Sequence, residues 1–130
     1  MASPLTIHAL PERLRQPVLI MAFAGWNDAS EAATTAARTL AEAWSAERFA
    51  TIDPEEFYHF GLSRPHIRFK AGSRTEREVL WPVSEFSAAS VPDLDRDVLI
   101  GVASEPHLKW KTYCGLVLDL ARECRVSLVL

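Results

Sequence analysis

Acid–base chemistry in this chain would have to come from two short polar segments, Gly25-Trp26-Asn27-Asp28 and Ser104-Glu105-Pro106-His107, each of which follows a continuous apolar run. Asp28, Glu105 and His107 are residue types that exchange protons, and Trp26 and Trp110 are flat walls on which a ring can stack. The candidate crevice is therefore Gly25, Trp26, Asn27, Asp28, Glu105 and His107. Each residue also has a plain structural use. Asp28 precedes an alanine-rich stretch and has Glu31 three residues on, the pattern of a helix N-cap with its capping box. Glu105-Pro106 can simply shape a turn, and Trp110 has the spacing of a core residue.

Complete catalytic signatures are not written here. The Gly25 loop has one glycine and no following Lys-Ser/Thr, so a phosphate would lack its cradle. There is no G-x-S-x-G elbow. The histidines His8, His59, His66 and His107 do not stand at metal-ligand spacing with one another or with Cys114 and Cys124. The expectation is no catalytic set, no metal and no cofactor.

The elements that must carry these loops are readable from the apolar pattern. Val18–Ala24 is apolar throughout, which suits a strand covered on both faces. Its helix follows, with small or apolar residues at Ala29, Ala33, Ala36, Leu40 and Trp44. Asp97–Ala103 is a second buried strand, and Lys109 to Cys124 a second amphipathic helix through Trp110, Tyr113, Cys114, Val117, Leu120, Ala121 and Cys124. Val126–Leu130 begins a third buried strand. These three strands are expected to be parallel, mutually associated and central in the sheet, which places both polar loops at carboxyl ends, where open α/β sheets collect ligands. Leu5–Leu10 reads as a short edge strand limited by prolines, and Arg48–Ile52 as another. His66–Lys70 alternates, Ala71–Arg74 is a turn, and Thr75–Trp81 returns, an antiparallel hairpin closed by Pro82. Val91–Arg96 is a polar connection. A buried parallel strand is ordinarily followed by a covering element, yet the sequence stops at Leu130, so the chain is expected to be the N-terminal portion of a longer domain.

At 130 residues the chain supports one domain, residues 1–130, with a real core. Net charge is −3 with scattered Lys and Arg, which argues against nucleic acid as the partner. No apolar run approaches the roughly 20 residues that span a bilayer, and the proline-interrupted start is not a secretory signal, so no membrane role and a cytoplasmic location are expected. Cys114 and Cys124 on one helix would stand about 15 Å apart, beyond disulfide reach, and read as reduced thiols. Asp53-Pro54-Glu55-Glu56 is an acidic turn. Beside it Phe57, Tyr58 and Phe60 cluster as aromatics do at interfaces, which makes them the candidate contact surface.

Taken in order, PVLIMAFAGWNDASEAATTAARTLAE, IDPEEFYHF, RPHIRF with REVLWP, DVLIGVASEPHLKW and LARECRVSLVL closely resemble the bacterial branch of the proteasome assembly chaperone (PAC2) family, from Pro17 to the end. The resemblance implies an α/β fold of the nucleoside-phosphorylase type: a mostly parallel sheet flanked by helices, with a hairpin extension, incomplete at the C-terminus. It also implies protein partners. Eukaryotic and archaeal relatives resemble assembly factors of proteasome α-rings, some of which act through a C-terminal tail that this sequence does not reach. The expected function is a non-enzymatic, proteasome-assembly-chaperone-like binding protein, working as a homo-oligomer with proteasome subunits as partners. The alternative is a small-molecule enzyme of nucleoside- or ester-hydrolase or ligase type, using the Gly25–Asp28 and Glu105–His107 loops.

Overall fold

The hydrophobic runs pair much as their covering demands. In the computed structural model, which describes residues 2–130, β2 (Val18–Ala24) lies parallel to β7 (Arg96–Ser104), Val18 opposite Val98 through Ala24 opposite Ser104. β8 (Leu128–Val129) adds in parallel on the other side of β2. The remaining strands form an antiparallel wing: β7 pairs β6 (Ser84–Val91), β6 pairs β3 (Glu47–Ile52), and β3 pairs β1 (Leu5–Ile7). The six-stranded sheet therefore runs β1-β3-β6-β7-β2-β8.

Alternate residues of β2 and β7 feed two cores. Leu19 and Leu99 join Phe57, Phe86, Tyr113 and Leu120 beneath α2 (Trp110–Glu123). Ala22, Val98 and Ile100 join Ala37 of α1 (Ala32–Ala43), with Ile20, Leu40 and Trp44 at the margin. One helix on each face explains the uninterrupted apolar character of both strands.

Several expectations shift in detail. The buried face of α1 runs through Thr34 and Ala37, with Leu40, Ala41 and Trp44 half-buried, while Ala33 and Ala36 are exposed. The cause is a kink: Ser30 and Glu31 are both left-handed, ending a 3-10 turn (Ala29–Glu31) and rotating the start of the helix. On α2, Tyr113, Leu120, Ala121 and the C-cap Cys124 are buried, but Trp110 and Cys114 face outward, so Trp110 is not core. The third strand is neither buried nor central: β8 is exposed and ends the sheet, because nothing among the described residues covers it. Bonding nevertheless continues past it, Leu130 N–H donating to the Leu19 carbonyl and Met21 N–H to that of Leu130. β6 was not foreseen. Its Ser- and Ala-rich sequence carries little strand propensity, and burial of Phe86, Ala89 and Val91 between β3 and β7 decides it.

The hairpin stands apart as its own two-stranded sheet, β4 (His66–Phe69) with β5 (Arg77–Leu80), Ile67 opposite Val79. Gly72, at φ +78°, turns its tip. Among the described residues no helix is long and apolar enough to cross a membrane.

Candidate functional site

Gly25 is where β2 leaves the sheet, at φ +137°, a conformation open to glycine and strained for any residue with a Cβ. Its neighbour Ala24 accepts a hydrogen bond from the Glu105 N–H, 2.9 Å, which carries the β2–β7 ladder one step beyond the strands. The two polar loops are thereby held side by side, as the parallel pairing requires.

Together they line an open cleft of about 710 Å³. Gly25, Trp26, Glu105 and His107 contribute from the predicted set, and Leu62, Ser63, Pro106 and Trp110 complete it. Trp26 is 103% exposed, Leu62 74% and Trp110 51%. The rim is thus aromatic and aliphatic, with one carboxylate and one imidazole inside. Leu62 was missed in the sequence because a single leucine in a Gly-Leu-Ser-Arg-Pro loop has no periodicity to report.

Asn27 and Asp28 are not part of the cleft. Asn27 Nδ2 donates to the Phe23 carbonyl at 3.1 Å and closes the turn. Asp28 is buried and faces α1: its Oδ1 accepts from Ala33 N–H at 2.7 Å and Thr34 N–H at 3.4 Å, and its Oδ2 from the Thr34 hydroxyl at 2.6 Å. The cap therefore reaches over the 3-10 turn to the second and third residues of the helix proper. Glu31 makes no capping-box bond, because its left-handed backbone precedes the helix. The Thr34 hydroxyl bond, joined by the two backbone donors, holds the Asp28 carboxyl below its ordinary value of 3.8.

His107 is also partly committed. Its Nδ1 accepts the His59 N–H at 2.8 Å, which assigns the ring proton to Nε2 in the neutral form, and its edge meets the Tyr58 ring at 5.8 Å. Backbone bonds from His107 and Leu108 N–H to the Phe57 carbonyl, and the Lys109–Glu56 ion pair at 2.7 Å, fasten the same loop to the acidic turn. Glu105 and the remaining ring nitrogen of His107 are the acid–base groups left to the cleft.

The candidate contact surface does not survive burial. Phe57 is 0% and Tyr58 3% exposed. The turn that begins at Pro54 drives both rings inward: Phe57 packs edge-on to Tyr113 at 5.3 Å. The Tyr58 hydroxyl donates to the Ser104 carbonyl and lies near Ser84, which also meets the Tyr113 hydroxyl. Burial raises both phenols, away from any role as a proton donor near neutrality. Phe60 is half-buried, edge-on to Trp81 at 5.0 Å. The region supplies core, and only Phe60 reaches the surface.

Three comparisons bear on identity. The PAC2 family model matches residues 22–130. A crystal structure of a PAC2 family protein from Streptomyces avermitilis is 36% identical, with a TM-score of 0.80 over 87% of this chain and 47% of its own. A Mycobacterium tuberculosis proteasome-assembly chaperone homologue is 38% identical, with a TM-score of 0.79 over 86% of this chain and 47% of its own. A Corynebacterium glutamicum protein of unknown function, 19% identical, shares the fold with a TM-score of 0.78 over 96% of this chain and 48% of its own. No curated protein matches. The chain spans just under half the length of these structures. With the family model matching residues 22–130 and two solved structures above 30% identity over more than four-fifths of its residues, the chain belongs to the PAC2 family.

Proposed function

We propose that this chain is a protein-binding module of the proteasome-assembly-chaperone kind, located in the cytoplasm, that contacts proteasome subunits and a second copy of itself and carries out no reaction. The observation that carries the reading is Trp26. A fully exposed tryptophan at the mouth of a cleft with Leu62 and Trp110 on its rim is costly to leave in water, and tryptophan is the residue type most enriched among the anchors of protein interfaces. The similarity to a proteasome-assembly chaperone homologue supports the class of partner. The enzymatic alternative has less to draw on, since Asp28 is spent on α1 and His107 Nδ1 on the loop.

The test is binding of purified proteasome subunits. Trp26→Ala should leave the thermal midpoint unchanged, because the ring touches almost nothing, and weaken capture about thirtyfold, the loss of one strong anchor. Undiminished capture by the variant, or none by the wild type, would count against the reading. Turnover of a nucleoside or ester, abolished by Glu105→Gln, would promote the enzyme instead.

A further inference from the structure

The β4–β5 hairpin carries more apolar surface than an arm exposed to water should. Alternation and register put Ile67, Phe69 and Val79 on one face, and Trp81 continues it past the end of β5. All four are at least half exposed, Ile67 at 67%. The opposite face carries Arg68 paired to Glu78 at 2.7 Å and Lys70 near Glu76, with Leu80 beside His66 at its root. A two-stranded hairpin is marginal by itself in water, and here only the Phe60–Trp81 contact ties its root aromatically to the body.

The apolar face is continuous with a groove. Phe60, Val79, Trp81 and Val83 line a hollow of about 480 Å³ at the hairpin's root, and Asp53, Glu55 and Glu85 border it. The far end of the strip has the opposite sign: Arg77 lies over the Phe69 ring at 5.3 Å, with Arg74 beyond it at the turn. Glu76 is matched by Lys70 on the opposite face, and at the root Arg48 pairs with Glu85 at 3.1 Å, which leaves Asp53 and Glu55 as the net acidic charge of the groove. The pattern is an apolar strip, acidic at one end and basic at the other.

A strip of that kind is complementary to itself turned end for end. A two-fold interface brings each point against its mirror position along the strip, so apolar centre meets apolar centre, and each basic tip meets the partner's acidic root, twice. We infer that the hairpin face formed by Ile67, Phe69, Val79 and Trp81 is the surface on which a second copy of this chain docks, antiparallel, with the Arg74/Arg77 tip of each seated at the Asp53/Glu55/Glu85 groove of the other. This deepens the reading of the chain as a binding module that self-associates. It assigns the self-contact to residues separate from Trp26, so the two surfaces fail independently.

Sedimentation of the purified chain at micromolar concentration tests it. The wild type should be a dimer, and Ile67→Asp a folded monomer with an unchanged far-UV spectrum. Arg74→Glu/Arg77→Glu and Glu55→Lys/Glu85→Lys should each weaken self-association about tenfold or more through like-charge contact. Mixed together, the two reversed variants should form a heterodimer of near wild-type strength, because the one altered tip meets the one altered root and the native tip meets the native root, both of opposite sign. That recovery separates an interface from simple loss of fold. A monomeric wild type, a dimer indifferent to Ile67→Asp, or reversed variants that weaken without recovering on mixing would each overturn the assignment. Subunit capture through Trp26 should persist in the Ile67→Asp monomer, and its loss on Trp26→Ala should leave the dimer intact.

Discussion

Asp28 holds α1 from outside the helix, and one carboxylate does work usually divided between a cap and a capping box. Two backbone donors and one hydroxyl converge on it. Removing it leaves the N–H groups of Ala33 and Thr34 without their carboxylate partner, the first in a part-buried and the second in a buried setting. Asp28→Ala should therefore lower the thermal midpoint by a few degrees, with Glu31→Ala nearly silent by comparison. The pH dependence follows from the direction of the shift. Hydrogen bonds from Thr34 lower the folded Asp28 pKa; at Asp97 burial pushes the carboxyl up, but bonds from Arg15 N–H, the Arg15 guanidinium and Ser90 bring it net below the usual value. A carboxylate depressed on folding stabilises above its unfolded pKa and loses that contribution as pH falls through the folded one. Melting temperature should thus hold steady through neutrality and fall below about pH 4, with a shallower fall in Asp28→Ala. The capping role of Asp28 was legible from its place before an alanine run. Which helical turn it caps was not, because the left-handed pair at Ser30 and Glu31 has no glycine or asparagine to announce it.

At the scale of elements, the parallel trio was legible because β2 and β7 are apolar without interruption, and only a strand covered on both faces tolerates that. The antiparallel wing was less so. β6 owes its conformation to neighbours on either side rather than to its own residues, and a Ser-Glu-Phe-Ser-Ala-Ala-Ser stretch gives no period strong enough to read. The aromatic run Phe57-Tyr58-His59-Phe60 looked like surface for a related reason: composition records that aromatics are close together and is silent on the direction a turn sends them. The same contacts yield a prediction for the hairpin. Trp81→Ala removes the edge-on packing with Phe60 at its root, so amide exchange across β4 and β5 should quicken about tenfold while β7 keeps its protection. Equal acceleration in β7 would mean that the hairpin is not a separate unit of stability.

For the molecule as a whole, stability rests on the two cores either side of the sheet, and Leu99 is central to one of them. Leu99→Ala should cost about 2–5 kcal/mol in denaturant unfolding, transfer and cavity terms together; a loss under about 1 kcal/mol would show that the surrounding side chains collapse into the space. The overall α/β plan and the meeting of the two polar loops followed from the sequence, since parallel neighbours joined by helices must place their exits at one end. The cleft's apolar rim did not, because Leu62 and Trp110 come to it from elements with no shared pattern. One consequence of the strand order reaches back to synthesis. β2 leaves the ribosome early, but its partners lie far along the chain: Val98 and Leu128 stand opposite Val18, and the Ser127–Pro17 contact closes a separation of 110 residues. At ordinary elongation rates the VLIMAFA segment waits on the order of 4–16 s for β7 alone. During that interval the most apolar strand of the protein is an open edge, so this PAC2-family chain is most in need of shelter while it is being made.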